Sequence, residues 1–247
     1  ATGVTTNFDY SKPRVYYSEE AHVYRCYQGG LPNASFTGWV RGDGGWLWFD
    51  RSSEPIRSSW VSDGGAWYYV GADGLMCTGW KRIGSSWYYF DASGAMATGW
   101  RRVDDSWSFF APSGQMQTGW VFDGGSWYWI DPSGQMQVGW QRVGGSWYYL
   151  GINGAMATGW LRQGGTWYWL GSSGAMATGW QKVTGEWYYL DTNGAMVTGW
   201  EKVSGLWYHF SGSGQMSTGW LDLDGSWYYL GTDGAMVMGT EWIGGVE

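Results

Sequence analysis

The sequence predicts an all-β fold, a solenoid of stacked β-hairpins with a 20-residue repeat. Three observations predict it: tryptophans recur at one fixed spacing, a glycine-containing turn pair lies between them, and strand-forming aromatic residues follow each turn. Self-similarity at a period of about 20 to 50 residues is typical of a solenoid, in which each unit stacks on its neighbours. The lattice tryptophans, each followed by a second tryptophan seven residues later, are Trp60, Trp80, Trp100, Trp120, Trp140, Trp160, Trp180, Trp200 and Trp220.

Each repeat contains the signals of one short hairpin. Its turn pair, such as Gly164 and Gly165 or Thr184 and Gly185, suits the positive φ angles that a two-residue hairpin turn requires. The Trp-Tyr-Tyr segment after the turn has high strand propensity, and a glycine-bearing loop then reverses the chain. A lone hairpin is only marginally stable in water, so we expect each one to stack on its neighbours.

The turn also predicts how the two strands pair. Ser85 as the second turn residue places Trp80 opposite Tyr89. It also places Arg82 opposite Trp87. Side chains alternate across a strand, so Trp80, Trp87 and Tyr89 share one face, and the tyrosine between the last two occupies the other. The first tyrosine of the following hairpin can then close the gap between stacked units, which gives a groove with two indole walls and one phenol wall.

Composition and charge exclude several classes of protein. An aromatic content of 20%, with 24 tryptophans, is not that of a disordered chain, despite 44 glycines. The net charge is −7 and the 14 lysines and arginines are spread one or two per repeat, so we expect no nucleic-acid partner. No run of eighteen apolar residues occurs, which predicts no membrane span. We expect a piece of a longer secreted protein whose signal peptide lies outside this sequence.

The N-terminal segment differs from the rest. Residues 1–37 lack the lattice, but their tyrosines suggest diverged strands, and we predict a cap over the edge of the first hairpin. Residues 38–247 then hold about ten tandem hairpin repeats. The two cysteines, Cys26 and Cys77, are either two unrelated small residues or a bridge between this segment and an early repeat.

A groove with three aromatic faces has a specific chemistry. It offers negative quadrupole potential without a formal charge, which suits a quaternary ammonium ion such as choline. Leu, Ile and Val would suffice for a simple apolar core, yet they are scarce here. The methionine of each repeat is either a polarisable floor of this groove or filler between hairpins. The second aromatic position after the turn tolerates several residue types, which indicates stacking rather than ligand binding, at Tyr149, Trp169, Tyr189 and His209.

The motifs Gly-Trp, Gly-x-Trp-Tyr-Tyr, Gly-Ala-Met and Thr-Gly-Trp, repeated on this period over about residues 38–240, resemble the choline-binding repeats of bacterial cell-wall proteins. The resemblance implies a left-handed superhelix of β-hairpins. It also implies that choline is held between consecutive repeats by two tryptophans of one and an aromatic residue of the next, often beside a methionine. Members of the family bind phosphocholine on teichoic acids, so we expect an extracellular place on the bacterial cell surface or cell wall.

Carried onto this sequence, the resemblance implies seven aromatic cages, each with two tryptophans from one repeat and the first tyrosine of the next. The role of the tyrosine rests on the strand pairing described above. The seven cages are Trp60, Trp67 and Tyr88; Trp100, Trp107 and Tyr128; Trp120, Trp127 and Tyr148; Trp140, Trp147 and Tyr168; Trp160, Trp167 and Tyr188; Trp180, Trp187 and Tyr208; and Trp200, Trp207 and Tyr228.

Three places depart from this pattern. In the first repeat Leu47 stands where a tyrosine is expected, and an extra residue separates Trp39 from Trp60. Ser108 stands where a tyrosine would close the cage of Trp80 and Trp87, so we expect that site to be weak or empty. Thr240 replaces the next lattice tryptophan after Trp220. Only Trp242 or a second chain, as in a homodimer, could complete the last unit.

Other functions remain as alternatives. A related repeat class binds α-glucans or other surface polysaccharides, but it favours Tyr and Phe over the tryptophan pair and carries more Lys and Asn, so choline is favoured here. We expect no enzyme, because acids such as Asp123 and Asp131 lie mainly in turns and loops instead of forming a catalytic pair. No cofactor or metal is expected either. A third alternative, a stalk that spaces another domain from the surface, predicts no response to small ligands.

Overall fold

The computed structural model describes residues 12–18, 23–29 and 31–239. Throughout these residues the regular elements are β-strands, each only two to six residues long. The chain divides into two compact units, each described by itself. The first unit is Ala1–Gly119 with Ile130–Met136, and the second is Trp120–Trp129 with Gln137–Glu247.

The first unit opens with a three-stranded antiparallel sheet in the order β1-β2-β3. Cys26 of this sheet is fully buried against Leu47 and Phe49 of the first hairpin, and Val15 and Tyr24 pack on the same cluster. Strands therefore occur where the sequence suggests diverged strands, while their role as a cap stays a prediction. The three strands are β1 (Arg14–Ser18), β2 (Val23–Gln28) and β3 (Leu31–Pro32).

The rest of the described chain consists of ten successive hairpins, each forming its own two-stranded antiparallel sheet. The strands are β4 (Thr37–Gly42) with β5 (Gly45–Asp50), β6 (Ser59–Asp63) with β7 (Ala66–Val70), β8 (Gly79–Ile83) with β9 (Ser86–Phe90), β10 (Gly99–Val103) with β11 (Ser106–Phe110), β12 (Gly119–Asp123) with β13 (Ser126–Ile130), β14 (Gly139–Val143) with β15 (Ser146–Leu150), β16 (Gly159–Gln163) with β17 (Thr166–Leu170), β18 (Gly179–Val183) with β19 (Glu186–Leu190), β20 (Gly199–Val203) with β21 (Leu206–Phe210), and β22 (Gly219–Leu223) with β23 (Ser226–Leu230).

Most of the turns have the predicted geometry. In eight of the ten described hairpins both turn residues have positive φ angles, as Thr184 and Gly185 do at +49° and +96°, which gives the twist that matches the strands. The hairpin with the turn Gly84 and Ser85, where only Gly84 has a positive φ, still pairs as predicted: Trp80 lies opposite Tyr89 and Arg82 lies opposite Trp87. The predicted register is confirmed.

The core is a row of hairpin ends. The last residue of each of nine successive hairpins is fully buried, and the loop that follows returns to bridge it. That loop also reaches back one hairpin: the Met176 N–H donates to the Trp147 carbonyl at 2.8 Å. One buried apolar residue per repeat and this backbone hydrogen bond thus help to join hairpins within each unit. These residues are Val70, Phe90, Phe110, Ile130, Leu150, Leu170, Leu190, Phe210 and Leu230.

One glycine of the loop is required for two reasons. Gly174 has a φ of +80°, and a Cβ added to it would collide with the Met156 side chain. The methionine therefore lies against the loop of the following repeat, and the same arrangement joins Met176 to Gly194. Together with the hairpin row, this repeated contact confirms the predicted all-β solenoid with its 20-residue period.

Candidate functional site

One aromatic cage of the second unit shows the geometry of the site. Trp160 of β16 and Trp167 of β17 meet at right angles, with ring centroids 6.3 Å apart and an interplanar angle of 87°. Tyr188 of the next hairpin meets the Trp160 ring at 4.8 Å and 66°. Met196 and Ser213, from the two loops that follow, complete the lining of a pocket of about 240 Å³.

These walls differ in exposure. Tyr188 is only 8% exposed and packs against Trp160 of the preceding hairpin. Trp167 is 40% exposed and forms the open wall of the pocket. The pocket thus combines one buried ring with one accessible indole face.

A second pocket repeats this arrangement. Trp120, Trp127 and Tyr148 line it together with Met156 and Ser173, and its volume is about 300 Å³. The Trp120 and Tyr148 rings are 4.9 Å apart at 66°, within 0.1 Å of the corresponding distance in the first cage. The same five residue types at the same spacing therefore build the same pocket twice.

Four more predicted cages bring the lattice tryptophan and the closing tyrosine together, with centroid distances of 4.8 to 5.0 Å. Of the remaining trio, Trp100 and Trp107 lie in the first unit and Tyr128 lies in the second. The four contacts are Trp60 with Tyr88, Trp140 with Tyr168, Trp180 with Tyr208, and Trp200 with Tyr228. The second tryptophans of these four cages are Trp67, Trp147, Trp187 and Trp207, and they are 39% to 50% exposed.

The methionine has both of the roles that the sequence left open. Met196 and Met156 line pockets, and the same side chains lie against Gly214 and Gly174 of the following loops. A thioether is polarizable and flexible enough to serve as a pocket wall and as packing.

The second aromatic position packs against the lattice tryptophan of its own hairpin, and Tyr189 also stacks on Phe210 of the next hairpin at 6.3 Å. Tyr189 meets Trp180 edge to face at 5.1 Å, and His209 meets Trp200 at 5.2 Å. His209 Nδ1 lies 2.9 Å from the Ser217 hydroxyl, and burial lowers the pKa of its imidazole. These rings support the lattice tryptophan from the side, as the sequence indicates.

Two predicted departures are visible. Ser108 is 3% exposed and lies across from Arg101, at the closing position, while Trp80 contacts Phe110 at 5.6 Å. At the other end of the described chain Trp220 and Trp227 are 61% and 64% exposed. Trp242, a candidate for completing that last unit, lies outside the described residues.

Sequence reasoning missed one cage. Trp39 and Tyr68 meet at 5.2 Å and 65°, with Trp46 of the same hairpin 42% exposed. The Met76 N–H donates to the Trp46 carbonyl at 2.8 Å, as in the later repeats. One extra residue between Trp39 and the next lattice tryptophan hid the pattern, although the Thr-Gly-Trp motif and the tryptophan seven residues later signalled it.

Metal ligands, membrane-spanning helices and thiols are the remaining features in the part of the chain that the structure describes. No group of three or more His, Cys, Asp or Glu residues there could hold a metal ion, and none of its elements is a helix long and apolar enough to cross a membrane. Cys26 and Cys77 are free thiols, and burial raises the pKa of both.

The sequence was compared with models of known protein families, and one family matches most of the chain. The family model for the choline-binding repeat matches residues 57–98, 97–138, 137–178, 158–198, 177–218 and 197–242. The chain belongs to the choline-binding repeat family. The aromatic cages are therefore formed by choline-binding repeats. A comparison with curated proteins gave no match.

Solved structures of other choline-binding repeat proteins are similar over nearly the whole chain. CbpJ from Streptococcus pneumoniae is 32% identical, with a TM-score of 0.68 over 92% of this chain and 94% of that one. Choline binding protein F from the same species, crystallised in the presence of a peptidoglycan analogue, is 30% identical, with a TM-score of 0.67 and coverage of 93% and 94%. CbpF in complex with ipratropium is 28% identical, with a TM-score of 0.61 and coverage of 91% and 93%.

Proposed function

We propose that this chain is a non-catalytic module that binds choline, in nature the phosphocholine of teichoic acids, in aromatic cages between consecutive repeats. The observation that carries the proposal is the recurrence of one pocket, with two tryptophans of one hairpin, a tyrosine of the next and a methionine. The site residues are those of the seven predicted cages, to which Trp39, Trp46 and Tyr68 are added.

The chemistry of the lining supports a quaternary ammonium ligand. Its side chains are two indoles, a phenol, a thioether and a hydroxyl, all neutral near pH 7. A quaternary ammonium ion donates no N–H hydrogen bond, so aromatic faces can replace its weakly held water. Each such face contributes about 0.5 to 2 kcal/mol, according to how far the cation is desolvated. Three faces then give an affinity in the millimolar range, near −4 kcal/mol.

Retention on a surface then comes from repetition. A polymer with repeated phosphocholine groups can occupy several cages of one chain. Each further contact is intramolecular, and the gain in avidity is about 10² to 10⁴ over one cage. Weak individual sites are compatible with stable attachment to a cell wall for this reason.

The relatives support the same assignment. Ipratropium, found with CbpF, is itself a quaternary ammonium compound. The peptidoglycan analogue present with choline binding protein F is cell-wall material. Both agree with a chain that attaches to the surface of a bacterium.

Calorimetric titration of the whole chain with choline chloride tests the proposal. Tetramethylammonium and a panel of α-glucan oligosaccharides serve as parallel ligands. Saturable heat from both ammonium ions, at several sites per chain, is the expected result. Heat from an oligosaccharide with none from either ammonium ion would replace choline by a glucan, and silence toward all ligands would leave a structural stalk.

A further inference from the structure

Half of the positively charged side chains share one position of the repeat. The chain has 14 lysines and arginines. In seven of the ten described hairpins, a lysine or arginine lies directly across from the second tryptophan, far more than an even spread over the repeat would place there. These residues are Arg41, Arg82, Arg102, Arg142, Arg162, Lys182 and Lys202.

The geometry places this cation at the rim of the cage. The Arg162 guanidinium carbon is 5.9 Å from the ring centroid of Trp167, which lines the pocket. Arg162 is two residues after Trp160 on the same strand, so both side chains leave the strand on the face that carries the cage. The next two repeats place Lys182 Nζ 5.8 Å from the Trp187 ring and Lys202 Nζ 5.9 Å from the Trp207 ring.

Three of the ten described hairpins have another residue at this position, and one of them is a natural reference. Phe122 contacts Trp127 at 5.1 Å beside the pocket of Trp120 and Tyr148. That pocket has the same five lining residue types as the pocket beside Arg162. The two sites therefore differ in charge at the rim but not in the cage itself. The other two hairpins place Ser62 opposite Trp67 and Asp222 opposite Trp227.

Binding of bare choline does not account for this cation. A lysine or arginine beside the cage repels a second positive charge that enters it. In phosphocholine, however, the phosphate is only two carbons away from the ammonium nitrogen. Lysine and arginine form charge-assisted hydrogen bonds with phosphate oxygens. A cation that weakens choline binding thus strengthens binding of its phosphate ester. Packing of the cation on the indole ring is the rival explanation.

We propose that the lysine or arginine opposite the second tryptophan forms an anion subsite, which holds the phosphate of a phosphocholine ester whose ammonium group occupies the adjacent cage. This proposal rests on the proposed binding of choline. Cages with this cation prefer the phosphodiester to free choline, by about two- to fivefold at low ionic strength, which is the effect of an exposed charge pair. The cage beside Phe122 has no such preference. At Arg102 the subsite is weaker, because Asp105 lies 3.1 Å from its guanidinium.

The test uses the whole chain and two probes, choline and glycerophosphocholine. The latter is a zwitterion, so the net charge of the protein has little effect on it. Calorimetry at low and at high salt gives the ratio of the two dissociation constants for three proteins. They are the natural chain, the subsite variant R162Q/K182Q/K202Q, and the control R51Q/K81Q/R101Q, which loses the same charge from exposed positions other than the subsite.

We expect glycerophosphocholine to bind the natural chain and the control more tightly than choline does. The subsite variant loses much of this preference, binds choline at least as well as before, and responds less to salt. Equal affinity for both probes in the natural chain overturns the subsite while leaving choline binding intact. An equal loss in both variants also overturns it, since general electrostatics would then be the cause. If neither probe binds, the proposed function itself fails.

Discussion

Two neighbouring repeats of the first unit differ at one wall of the cage. Trp60 is closed by Tyr88, which is 8% exposed and lies 5.0 Å from it. Trp80 has Ser108 at the corresponding position, contacts Phe110 at 5.6 Å and is 36% exposed. Both hairpins have the same strand register.

The difference teaches that stacking of the hairpins does not depend on the closing ring of the cage. The repeat with the serine keeps its fully buried Phe110, and the Met116 N–H still donates to the Trp87 carbonyl at 2.8 Å. The repeat with the tyrosine has the equivalent bond, from the Met96 N–H to Trp67, at 2.7 Å. Hairpin end and loop hold the stack in both places, so the closing ring is free to change.

Loss of the tryptophan pair should give the largest difference between the two repeats, which is a difference in the number of choline molecules bound. Trp60→Ala with Trp67→Ala removes two walls of a complete cage, so the number of choline molecules bound per chain falls by one. Trp80→Ala with Trp87→Ala should leave that number unchanged, because this cage lacks its third wall. Each double substitution also destabilises its hairpin, by less than the about 3 to 5 kcal/mol of a fully buried ring, because all four rings are partly exposed. Calorimetric stoichiometry measures the first effect, and equal losses in both variants would contradict it.

The closing position can be exchanged in both directions. Ser108→Tyr supplies the missing wall and should add one choline site of about millimolar affinity. Tyr88→Ser should remove one site, whereas Tyr88→Phe keeps the aromatic face and serves as the control. Titration of all three proteins with choline gives the stoichiometry. A Ser108→Tyr protein that folds but binds no additional choline would show that more than the ring is missing.

The free energy of unfolding should depend more on the loop between β9 and β10 than on the closing ring of the cage. Gly94 has a φ of +83°, and a Cβ there would collide with Met76, so Gly94→Ala combines backbone strain with overpacking and should cost about 2 to 4 kcal/mol. Gly99 has a φ of +65° with open space around it, so Gly99→Ala should cost only about 1 to 2 kcal/mol. Urea unfolding compares the two, and similar costs would mean that the methionine moves aside.

A second pair of repeats differs at the second aromatic position, with Tyr189 in one and His209 in the next. Exchanging this residue should have the smallest effect, a change in how stability depends on pH. Burial lowers the pKa of His209 below the ordinary value of 6.5, so the unfolded chain binds more protons between the two pKa values. The stabilisation is fully present above pH 6.5 and is lost as the pH falls toward the folded pKa. His209→Tyr should flatten this slope in melting curves between pH 7.5 and 5. Choline stoichiometry should not change, because this ring only supports Trp200.

Much of the fold was predictable because a two-residue turn allows only one antiparallel pairing. Once Trp80 is opposite Tyr89, the faces of every other side chain follow by alternation. The contact between Trp60 and Tyr88 could be predicted for the same reason. The hairpin-end residue was harder to recognise as the core, since it is one apolar residue in twenty beside more numerous aromatic residues and its type varies among Val, Ile, Leu and Phe.

The remaining features of the site could not be predicted because they depend on distances between side chains, which a sequence pattern does not give. An inserted residue shifted the cage of Trp39 off the lattice, and only the contact with Tyr68 identifies it. The two roles of Met196 required a pocket on one side and a glycine on the other. The pairing of Arg82 with Trp87 follows from the register. A functional role for such a cation can be inferred only where the paired tryptophan is seen to line a pocket.

Each pocket is built from residues of one repeat and of the repeats that directly follow it, and this determines how such chains can change in length. The Trp160 pocket draws on its own hairpin, on Tyr188 and on the two loops that contain Met196 and Ser213. A duplicated or deleted block of twenty residues therefore meets the same neighbours as before and needs no compensating substitution. Duplication of one repeat adds one aromatic cage and deletion removes one, and each new copy can then differ at its closing position, where Ser108 replaces the tyrosine.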